Sequence, residues 1–462
     1  MESLDVAALI EQSIQQVALS DGAKLVLAYS GGVDSELLCL GLAQYAQSNP
    51  QFNYLLVHVH HGLSEHAEQW LEHCKTRAKG YQLAINCQRV SLSLGPRVST
   101  EAAAREARYQ VFQQYVQPGD VLLTAHHQDD QLETILLALK RGLGPKGLAA
   151  MGQVQPYAEK AWLVRPLLNV TREQIEHTAS LLALTHIEDE SNADTQFDRN
   201  FLRHDIIPRL KQRWGAITTT SSRSAALCAQ QQQLLDEVVS ERLPALINHS
   251  NQVLASSLDL DSLAQYSLDW QAMYLRAFIE QCGFSLPSQA QLHNLLSQLM
   301  YAKTDAQIHI VLKGMLAKRY QQQLFLLEST TYQQPMAVIG SNQLDVSGEV
   351  NAWQVNLNDG SQLQFHVETL GSGLKKPNAK QHVTVRFGAA GSVIVHPSSR
   401  QKSRELKKVW QEFGVPPWER ARVPLVYYDD KLVSAVGYWV EKAYLSQNGE
   451  PHLAVRHQPK SI

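Results

Sequence analysis

The first 215 residues alternate between short apolar runs and longer segments of helical periodicity, and this alternation constrains the fold more than any other feature. Alternating strands and helices predict βαβ units, in which parallel strands form one sheet and the helices cover both of its faces. The predicted strands are Leu25–Tyr29, Tyr54–His60, Ile85–Leu92, Val121–Ala125 and Trp162–Leu168. The predicted helices are about Glu36–Gln47, Glu65–Gly80, Thr100–Val116 and Asp130–Arg141.

The pattern changes after about residue 215. A long amphipathic helix is predicted over about 225–247, with Leu227, Leu234 and Val239 on a common side, and two further helices and two strands follow it. From residue 336 the sequence is rich in strand patterns and returns to a helix near residues 403–413. A chain of 462 residues exceeds the size of a single core. We therefore predict three domains: α/β over 1–215, mainly helical over 216–335, and small α+β over 336–462.

Composition narrows the class of protein. No run of about 18 apolar residues occurs, so no membrane-spanning helix is predicted. The opening MESLDVAALIEQ lacks a basic segment followed by an apolar core, so no signal peptide is predicted, and we expect a cytoplasmic protein. The five cysteines are odd in number and form no C-x-x-C pair, which argues against a disulfide framework and against a four-cysteine zinc site.

The stretch LVLAYSGGVDSELLCL joins the first predicted strand to the first predicted helix. Its loop lies at the carboxyl end of a parallel strand, where open α/β sheets bind ligands. The start of the helix offers free N–H groups and a partial positive charge, and glycines let the backbone approach a phosphate. We predict that the loop binds phosphates through Ser30, Gly31, Gly32, Val33, Asp34 and Ser35.

Asp34 separates this loop from the Walker A type, in which a lysine follows the glycines. A carboxylate beside a phosphate repels it unless a cation lies between them, so Asp34 predicts a magnesium site. The structural alternative is an ordinary glycine turn between strand and helix. The complete six-residue string with its flanking elements favours function.

The string SGGVDS resembles the PP-loop of the N-type ATP pyrophosphatases, which cleave ATP between its α- and β-phosphates. The resemblance implies a Rossmann-like PP-loop ATPase fold. Four further stretches narrow it: HVHHGL from residue 58, EAAAREARY from 101, AHHQDDQLETILLALKRGLGPKGLAAM from 125 and DESNADTQFDRNFLRHDIIPRL from 189. Together they resemble the tRNA(Ile)-lysidine synthase family, strongly over about residues 20–215 and more loosely near the C-terminus.

The resemblance implies an ATP-dependent reaction on the wobble cytidine of an isoleucine tRNA with the anticodon CAU. ATP adenylates the cytosine carbonyl oxygen, and the ε-amine of free L-lysine then displaces AMP, which gives lysidine, AMP and pyrophosphate. The implied cofactors are ATP and Mg²⁺. The middle domain would bind tRNA or substrate, and the C-terminal domain would bind tRNA. The oligomeric state stays open, with a homodimer as one option.

Asp130 follows the fourth predicted strand and lies at the same sheet edge as Asp34. The two carboxylates can hold magnesium between them, since this ion is bound by one or two carboxylates together with phosphates. Asp129 is the alternative ligand, and the family pattern favours Asp130. Helix capping is the structural alternative for the pair. Glu133, one turn further, is a candidate for binding the lysine ammonium.

Arginines complete the predicted site. Arg105 and Arg108 share a helix face, and we favour Arg108 as the catalytic residue that binds phosphate or developing negative charge. Arg199 and Arg203 share a second face if that segment is helical. We interpret both as contacts to tRNA phosphates or to the adenylated base, with Arg203 also catalytic. For each arginine, a solvated surface position is the alternative.

For the histidines of the same motifs, a metal site is less favoured than a role in the core or in contact with the nucleotide. No cysteine or acidic partner lies at zinc-like spacing from His58, His60 or His61, so core or nucleotide-contact roles are favoured for them, and equally for His126 and His127.

A basic stretch near the C-terminus opposes the overall net charge of −3, which alone argues weakly against nucleic-acid binding. Residues 400–422 contain seven basic and three acidic side chains. Lys407 and Lys408 are the predicted phosphate contacts to tRNA. A solvated charged face is the alternative, and Trp410, Trp418 and Tyr427 could simply fill a small core.

Two other functions compete. A PP-loop enzyme with another nucleophile is one, but sulfur-transfer members generally use cysteine pairs, and no glutaminase region is evident for an amidating member. A non-catalytic RNA-binding protein that keeps ATP as a conformational ligand is the other. Two carboxylates near phosphate, Asp34 and Asp130, argue against it.

Overall fold

The computed structural model describes residues 3–60, 62, 64–91, 100–158, 160–248, 256–302, 308–330, 336–339, 352–378 and 381–458. The chain divides into two compact units, Met1–Asp236 and Glu237–Ile462. The division into three domains at residues 215 and 335 stays a prediction.

A six-stranded sheet forms the centre of the first unit, in the order β3-β2-β1-β4-β6-β5. All neighbouring strands are parallel except β5, which pairs antiparallel with β6 at one edge. The predicted parallel sheet is therefore confirmed, with one added edge strand. The strands are β1 (Lys24–Ala28), β2 (Asn53–His60), β3 (Ala84–Arg89), β4 (Val121–Leu123), β5 (Val154–Tyr157) and β6 (Ala161–Val164).

The helices of the first unit follow the predicted alternation. The boundary between the two units falls within the last of them, and a π-helical turn at Leu202–Ile206 separates α8 from α9. The helices are α1 (Val6–Ile14), α2 (Val33–Ser48), α3 (Ala67–Gly80), α4 (Thr100–Tyr115), α5 (Gln128–Lys140), α6 (Pro145–Leu148), α7 (Arg172–Leu181), α8 (Asp198–Phe201), α9 (Ile207–Arg213) and α10 (Ile217–Arg242).

The central strand β1 is buried on both faces, since Leu25, Val26 and Leu27 are all 0% exposed. Continuous apolar burial of this kind is typical of parallel strands covered by helices on both sides. The loop that follows β1 therefore begins at a strand that the core holds in place.

A buried carboxylate supports the helix that follows this loop. Glu36 in α2 accepts hydrogen bonds from Arg77 Nε at 2.6 Å and from the hydroxyl of Tyr81 at 2.7 Å, and its other oxygen accepts one from the hydroxyl of Tyr29. A buried charge costs free energy unless it is paired, and these three donors offset the cost of burying the Glu36 carboxylate. They tie the first turn of α2 to α3.

The first part of the second unit combines helices with a five-stranded antiparallel sheet in the order β7-β8-β11-β10-β9. The two predicted helices after residue 260 are confirmed. The sequence predicted two strands here, and the structure has five, because short strands such as Ile247–Asn248 carry no detectable alternation. The elements are β7 (Ile247–Asn248), β8 (Ser257–Asp259), α11 (Leu260–Leu263), α12 (Leu268–Gln281), α13 (Gln289–Tyr301), β9 (His309–Leu312), β10 (Met315–Tyr320) and β11 (Gln323–Glu328).

The remainder of the second unit holds three small antiparallel sheets, which confirms the predicted α+β character. A hairpin turns at Asn358-Asp359-Gly360, and Gly360 has the positive φ of +85° that such a turn requires. The elements are β12 (Ala352–Asn356), β13 (Gln362–Glu368), β14 (Leu374–Lys375), β15 (Val383–Arg386), β16 (Ile394–Val395), β17 (Arg404–Glu405), α14 (Leu406–Glu412), β18 (Leu425–Tyr428), β19 (Lys431–Ala435), β20 (Trp439–Val440) and β21 (His452–Gln458).

One expectation about burial is corrected. The helix predicted near residue 225 is present as α10, but Leu227 and Leu234 on its expected apolar side are 55% and 57% exposed, while Val239 is buried. Helical periodicity identified the helix and did not decide what covers it. None of the helices in the described ranges has the length and apolar character needed to cross a bilayer.

Candidate active site

Gly31 is the first glycine of the loop between β1 and α2, and both its backbone and its neighbours constrain it. Gly31 has φ +85°, and a Cβ there would lie 2.4 Å from Ile187 Cδ1 and 2.9 Å from Cys74 Sγ. Its carbonyl accepts a hydrogen bond of 2.9 Å from Ile187 N. Both the left-handed backbone and the close packing require glycine at this position. Gly32 has no such constraint, because its nearest neighbour would be Ser30 Oγ at 3.7 Å.

Two serines close the loop on itself. Ser35 Oγ accepts a hydrogen bond from Gly31 N at 3.0 Å and lies 2.9 Å from Ser30 Oγ. Gly32 is the N-cap of α2 and offers no side chain to the free N–H groups of the first turn. These N–H groups at the carboxyl edge of the sheet suit an anion such as phosphate.

The structure brings Asp34 and Asp130 together around one histidine. His127 Nε2 lies 3.7 Å from Asp34 Oδ1 and 3.5 Å from Asp130 Oδ2, so these two oxygens are at most about 7 Å apart. Asp130 is further fixed by a 2.9 Å hydrogen bond from His127 N to its Oδ2. Burial opposes the ionisation of Asp130, but the neighbouring His127, its backbone N–H and Arg203 outweigh it and lower the pKa of Asp130.

The pKa of Asp34 shifts in the opposite direction to that of Asp130. Burial raises its pKa, and the charges of His127 and Arg172 oppose that rise without cancelling it. Arg172 Nη1 donates to Asp34 Oδ2 at 2.6 Å, whereas Asp34 Oδ1 is buried and has no hydrogen-bond partner among the described residues. A buried carboxylate oxygen without a donor is a favourable position for a cation.

Asp129 is engaged elsewhere. One of its oxygens pairs with Lys211 Nζ of α9, and the other accepts a 2.9 Å hydrogen bond from Arg172 N at the start of α7. Through these two contacts Asp129 links α5 to α9 and to α7. The preference for Asp130 over Asp129 as a cation ligand stays a prediction, and the contact that Asp130 shares with Asp34 through His127 favours it.

Glu133 is fully buried and lies against Arg203 and Arg199. Arg203 Nε donates to its Oε1 at 2.8 Å and Arg203 Nη2 to its Oε2 at 3.1 Å, while Arg199 Nη1 lies 3.9 Å from Oε2. Burial raises the pKa of Glu133, and the guanidinium of Arg203 opposes that rise. Arg199 and Arg203 thus share a face, as predicted, and it points towards α5. Arg203 also reaches Asp130 Oδ1 at 3.2 Å.

The two arginines of α4 differ in their contacts. Arg105 stacks over the ring of Tyr109 at 5.1 Å. The charge of Arg108 acts on His58, whose Nδ1 lies 3.0 Å from the carbonyl oxygen of Tyr29, and burial lowers the pKa of His58. The lowered pKa keeps His58 uncharged at neutral pH. Arg108, the favoured arginine of α4, lies close enough to His58 for its charge to contribute to that lowering.

The remaining histidines occupy separate positions. His60 Nε2 lies 3.3 Å from Glu68 Oε1, and His61 lies outside the described residues. His126 Nδ1 is 2.9 Å from Thr124 Oγ1, and burial lowers the pKa of His126 to about 3. His126 is thus uncharged at neutral pH although it lies near Asp130.

Sequence reasoning missed three residues of this site: His127 as the shared contact of the carboxylates, Arg172, and Lys211. For Arg172 a weak signal existed, since it follows Thr171, which forms a capping box with Gln174 and so marks the start of a helix. For Lys211 no local signal exists, because its partner is 82 residues away.

Four basic residues of the stretch 400–422 pair with acidic side chains of the same stretch: Arg400, Arg404, Lys407 and Lys408. Lys407 and Lys408 both lie 3.4 Å from Glu405 Oε2 and remain 57% and 50% exposed. Trp410 is buried in the small core beside α14. Trp418 packs edge-on against Phe325, so these two tryptophans serve packing, as the structural alternative expected.

The residues present fit a magnesium ion. Mg²⁺ prefers oxygen ligands and is usually held by one or two carboxylates and by substrate phosphates. The unpartnered Asp34 Oδ1 and the nearby Asp130 supply that set next to the phosphate loop. Among the described residues no group of three or more potential metal ligands occurs, so the carboxylate pair needs the phosphates to complete a shell.

Three family models match separate parts of the chain. A PP-loop domain model matches residues 5–210, a TilS substrate binding domain model matches 258–325, and a TilS substrate C-terminal domain model matches 383–457. A tRNA(Ile)-lysidine synthase of Shewanella woodyi is 52% identical over 98% of this chain and 96% of that protein. The chain belongs to the tRNA(Ile)-lysidine synthase family. The family predicted from its motifs is thereby confirmed.

Other relatives extend the same match. The tRNA(Ile)-lysidine synthases of Shewanella oneidensis and Vibrio atlanticus are 48% and 40% identical, over 97% and 92% of this chain and 98% and 94% of those proteins. As a member of the tRNA(Ile)-lysidine synthase family, the chain is a ligase of tRNA modification, and it uses ATP through its PP-loop domain.

Proposed function

We propose that the chain ligates lysine to the wobble cytidine of the isoleucine tRNA whose anticodon is CAU. The cytosine carbonyl oxygen attacks the α-phosphorus of ATP, and pyrophosphate leaves. The ε-amine of free L-lysine then attacks the carbon that carries the activated oxygen and expels AMP, which leaves lysidine in the tRNA. The observation that carries this proposal is the convergence of Asp34 and Asp130 on His127 beside the phosphate loop.

The loop would hold the triphosphate. N–H groups at the start of α2 would donate to phosphate oxygens, and Ser30 would add a hydroxyl donor. Ser35 keeps Gly31 in place rather than reaching outward, because its Oγ is already bonded to Gly31 N and Ser30 Oγ. Gly32 and Val33 would let the chain approach the phosphates closely.

Asp34 and Asp130 would hold Mg²⁺, which when bound neutralises phosphate charge and orients the leaving pyrophosphate. The low pKa of Asp130 keeps that carboxylate ionised, whereas burial raises the pKa of Asp34 and a neighbouring cation opposes that rise. Arg108 would bind phosphate or the negative charge that develops during the transfer.

Arg203, Arg199 and Glu133 would bind the activated base and the lysine. The guanidinium of Arg203 touches both Asp130 and Glu133, so it can orient the adenylated base between them. Glu133 is the proposed partner of the lysine ammonium, which would share the carboxylate with Arg203. Lys407 and Lys408 would contact tRNA phosphates away from the anticodon.

The test combines the protein with ATP, Mg²⁺, labelled lysine and the CAU isoleucine tRNA. We expect label in the tRNA, together with equal amounts of AMP and pyrophosphate. ATP turnover without label in the tRNA would indicate another nucleophile. No ATP turnover would indicate a protein that only binds RNA, and either result would overturn the proposal. Methionine tRNA with the same anticodon is the matched control substrate.

A further inference from the structure

Arg172 makes three contacts at the edge of the phosphate loop. Its Nη1 donates to Asp34 Oδ2 at 2.6 Å, its Nε donates to Glu176 Oε1 at 2.7 Å, and its backbone N donates to Asp129 Oδ2 at 2.9 Å. Arg172 is also the first residue of α7, which fixes its backbone. The stem is therefore held in place while the guanidinium covers Asp34.

The Arg172–Asp34 pair is less buried than the arginine pairs of Glu133 and Glu36. The Arg172 side chain is 37% exposed and that of Asp34 is 25% exposed, whereas Glu133 and Glu36 are 0% exposed in their pairs with arginine. Breaking a partly exposed pair costs less than breaking a buried one, because water can solvate the released guanidinium. Arg172 can therefore leave Asp34 when a cation replaces its charge, so that the carboxylate is not left unpaired.

A guanidinium on Asp34 Oδ2 and a divalent cation on the unpartnered Asp34 Oδ1 would repel each other across one carboxylate. In this structure the guanidinium of Arg172 supplies positive charge beside Asp34. When Asp34 turns to a cation, the guanidinium must find another anion, and its planar donors suit a phosphate oxygen. Glu176 keeps the side chain near the site during that exchange.

We propose that Arg172 is the resident counter-ion of Asp34, and that it moves to a phosphate oxygen of the bound nucleotide when a divalent cation binds the free oxygen of Asp34. The inference rests on the proposed function, which assigns Asp34 to the cation. It adds Arg172 as a positioning residue that couples binding of the metal to binding of the triphosphate.

The signature of this exchange is a pair of opposite effects in one variant. In Arg172→Gln the competitor for Asp34 is gone, so Mn²⁺ without nucleotide should bind about threefold to tenfold more tightly. The phosphate partner is also gone, so α,β-methylene-ATP with Mg²⁺ should bind about tenfold more weakly. Electron paramagnetic resonance measures the first affinity and calorimetry the second, both at pH 8, where Asp34 is more fully ionised.

Lys140→Gln is the matched control, since it also removes one positive charge from an ion pair of the first unit, with Asp198 at 2.6 Å, without touching Asp34. Both affinities should stay within about twofold of the parent. Arg172→Lys serves if the glutamine variant does not fold. It keeps the charge and loses the planar donors, so only the nucleotide affinity should fall.

The outcomes separate the possibilities. If both affinities of Arg172→Gln rise, the arginine only repels cations, and if both fall it only supports the fold. If neither changes, the pair is static, and each of these results overturns the inference. Asp34→Asn tests the proposed function independently: a parent-like affinity for the nucleotide with Mg²⁺ in that variant would overturn the assignment of Asp34, whatever Arg172 does.

Discussion

Arg203 donates to both carboxylate oxygens of Glu133, at 2.8 Å from Nε and 3.1 Å from Nη2. The two residues are 70 positions apart, so this pair ties α5 to the helical segment that begins at Asp198. Glu133 is fully buried, and Arg203 is 39% exposed. The carboxylate thus depends on the arginine far more than the arginine depends on it.

Arg203→Gln should therefore destabilise the fold, because it leaves a buried carboxylate with only the more distant Arg199. We expect a loss of about 3 kcal/mol in the free energy of unfolding, measured by urea denaturation. Arg203→Gln combined with Glu133→Gln should recover part of that loss. A double variant as unstable as the single one would show that the charge of Glu133 is not the cause.

Asp34→Asn and Asp130→Asn should each lower the rate of pyrophosphate release at least about 100-fold, since electrostatic stabilisation of phosphate charge is lost. Binding of tRNA should remain. Asp129→Asn is the matched control because its oxygens bind Lys211 and Arg172 N instead. It should lose about 1–3 kcal/mol of stability and keep adenylation at low temperature. Parent-like pyrophosphate release by Asp130→Asn would exclude it as a ligand.

The raised pKa of Asp34 predicts a pH dependence of stability with a definite sign. Burial makes the folded chain hold this proton more tightly than the unfolded chain does. The group therefore favours the folded state at pH values below the usual aspartate pKa, and that advantage is lost as pH rises through the raised value. At neutral pH, Asp34→Asn should raise the melting temperature. A lower melting temperature for this variant would contradict the prediction.

Gly31 and Gly32 should respond differently to alanine. Gly31→Ala places a Cβ 2.4 Å from Ile187 Cδ1 on a backbone with φ +85°, so we expect a loss of about 1–3 kcal/mol in stability. Gly32→Ala meets nothing closer than 3.7 Å and should fold normally, while its affinity for ATP falls if phosphate approaches the backbone there. Thermal melting and nucleotide titration of both variants measure this difference.

Lys407 and Lys408 should contribute to tRNA affinity through phosphate contacts. Changing both to alanine should weaken tRNA binding and reduce the slope of log affinity against log salt by up to about 1–2. Lys75→Ala removes a lysine from a similar exposed pair, with Glu72 at 2.7 Å, and should leave the slope unchanged. An unchanged slope in the double variant would assign α14 to ordinary surface.

Local patterns predicted most elements of the first unit to within a few residues at their ends. The predicted helix Glu65–Gly80 is found as Ala67–Gly80, and the strand Tyr54–His60 as Asn53–His60. The strand Val154–Tyr157 was missed because it is short and contains Pro156, which a sequence pattern counts against a strand. Proline is tolerated there because the strand lies at the edge of the sheet.

The sequence by itself determined the α/β fold and the edge at which the site forms, because the residues that follow parallel strands must meet at one side of the sheet. It thereby placed Asp34 and Asp130 in the same neighbourhood. Only the tertiary structure decided which charges pair. The partners Asp34 and Arg172 lie 138 residues apart, and such pairing depends on how helices pack and rotate against the sheet, which local periodicity does not encode.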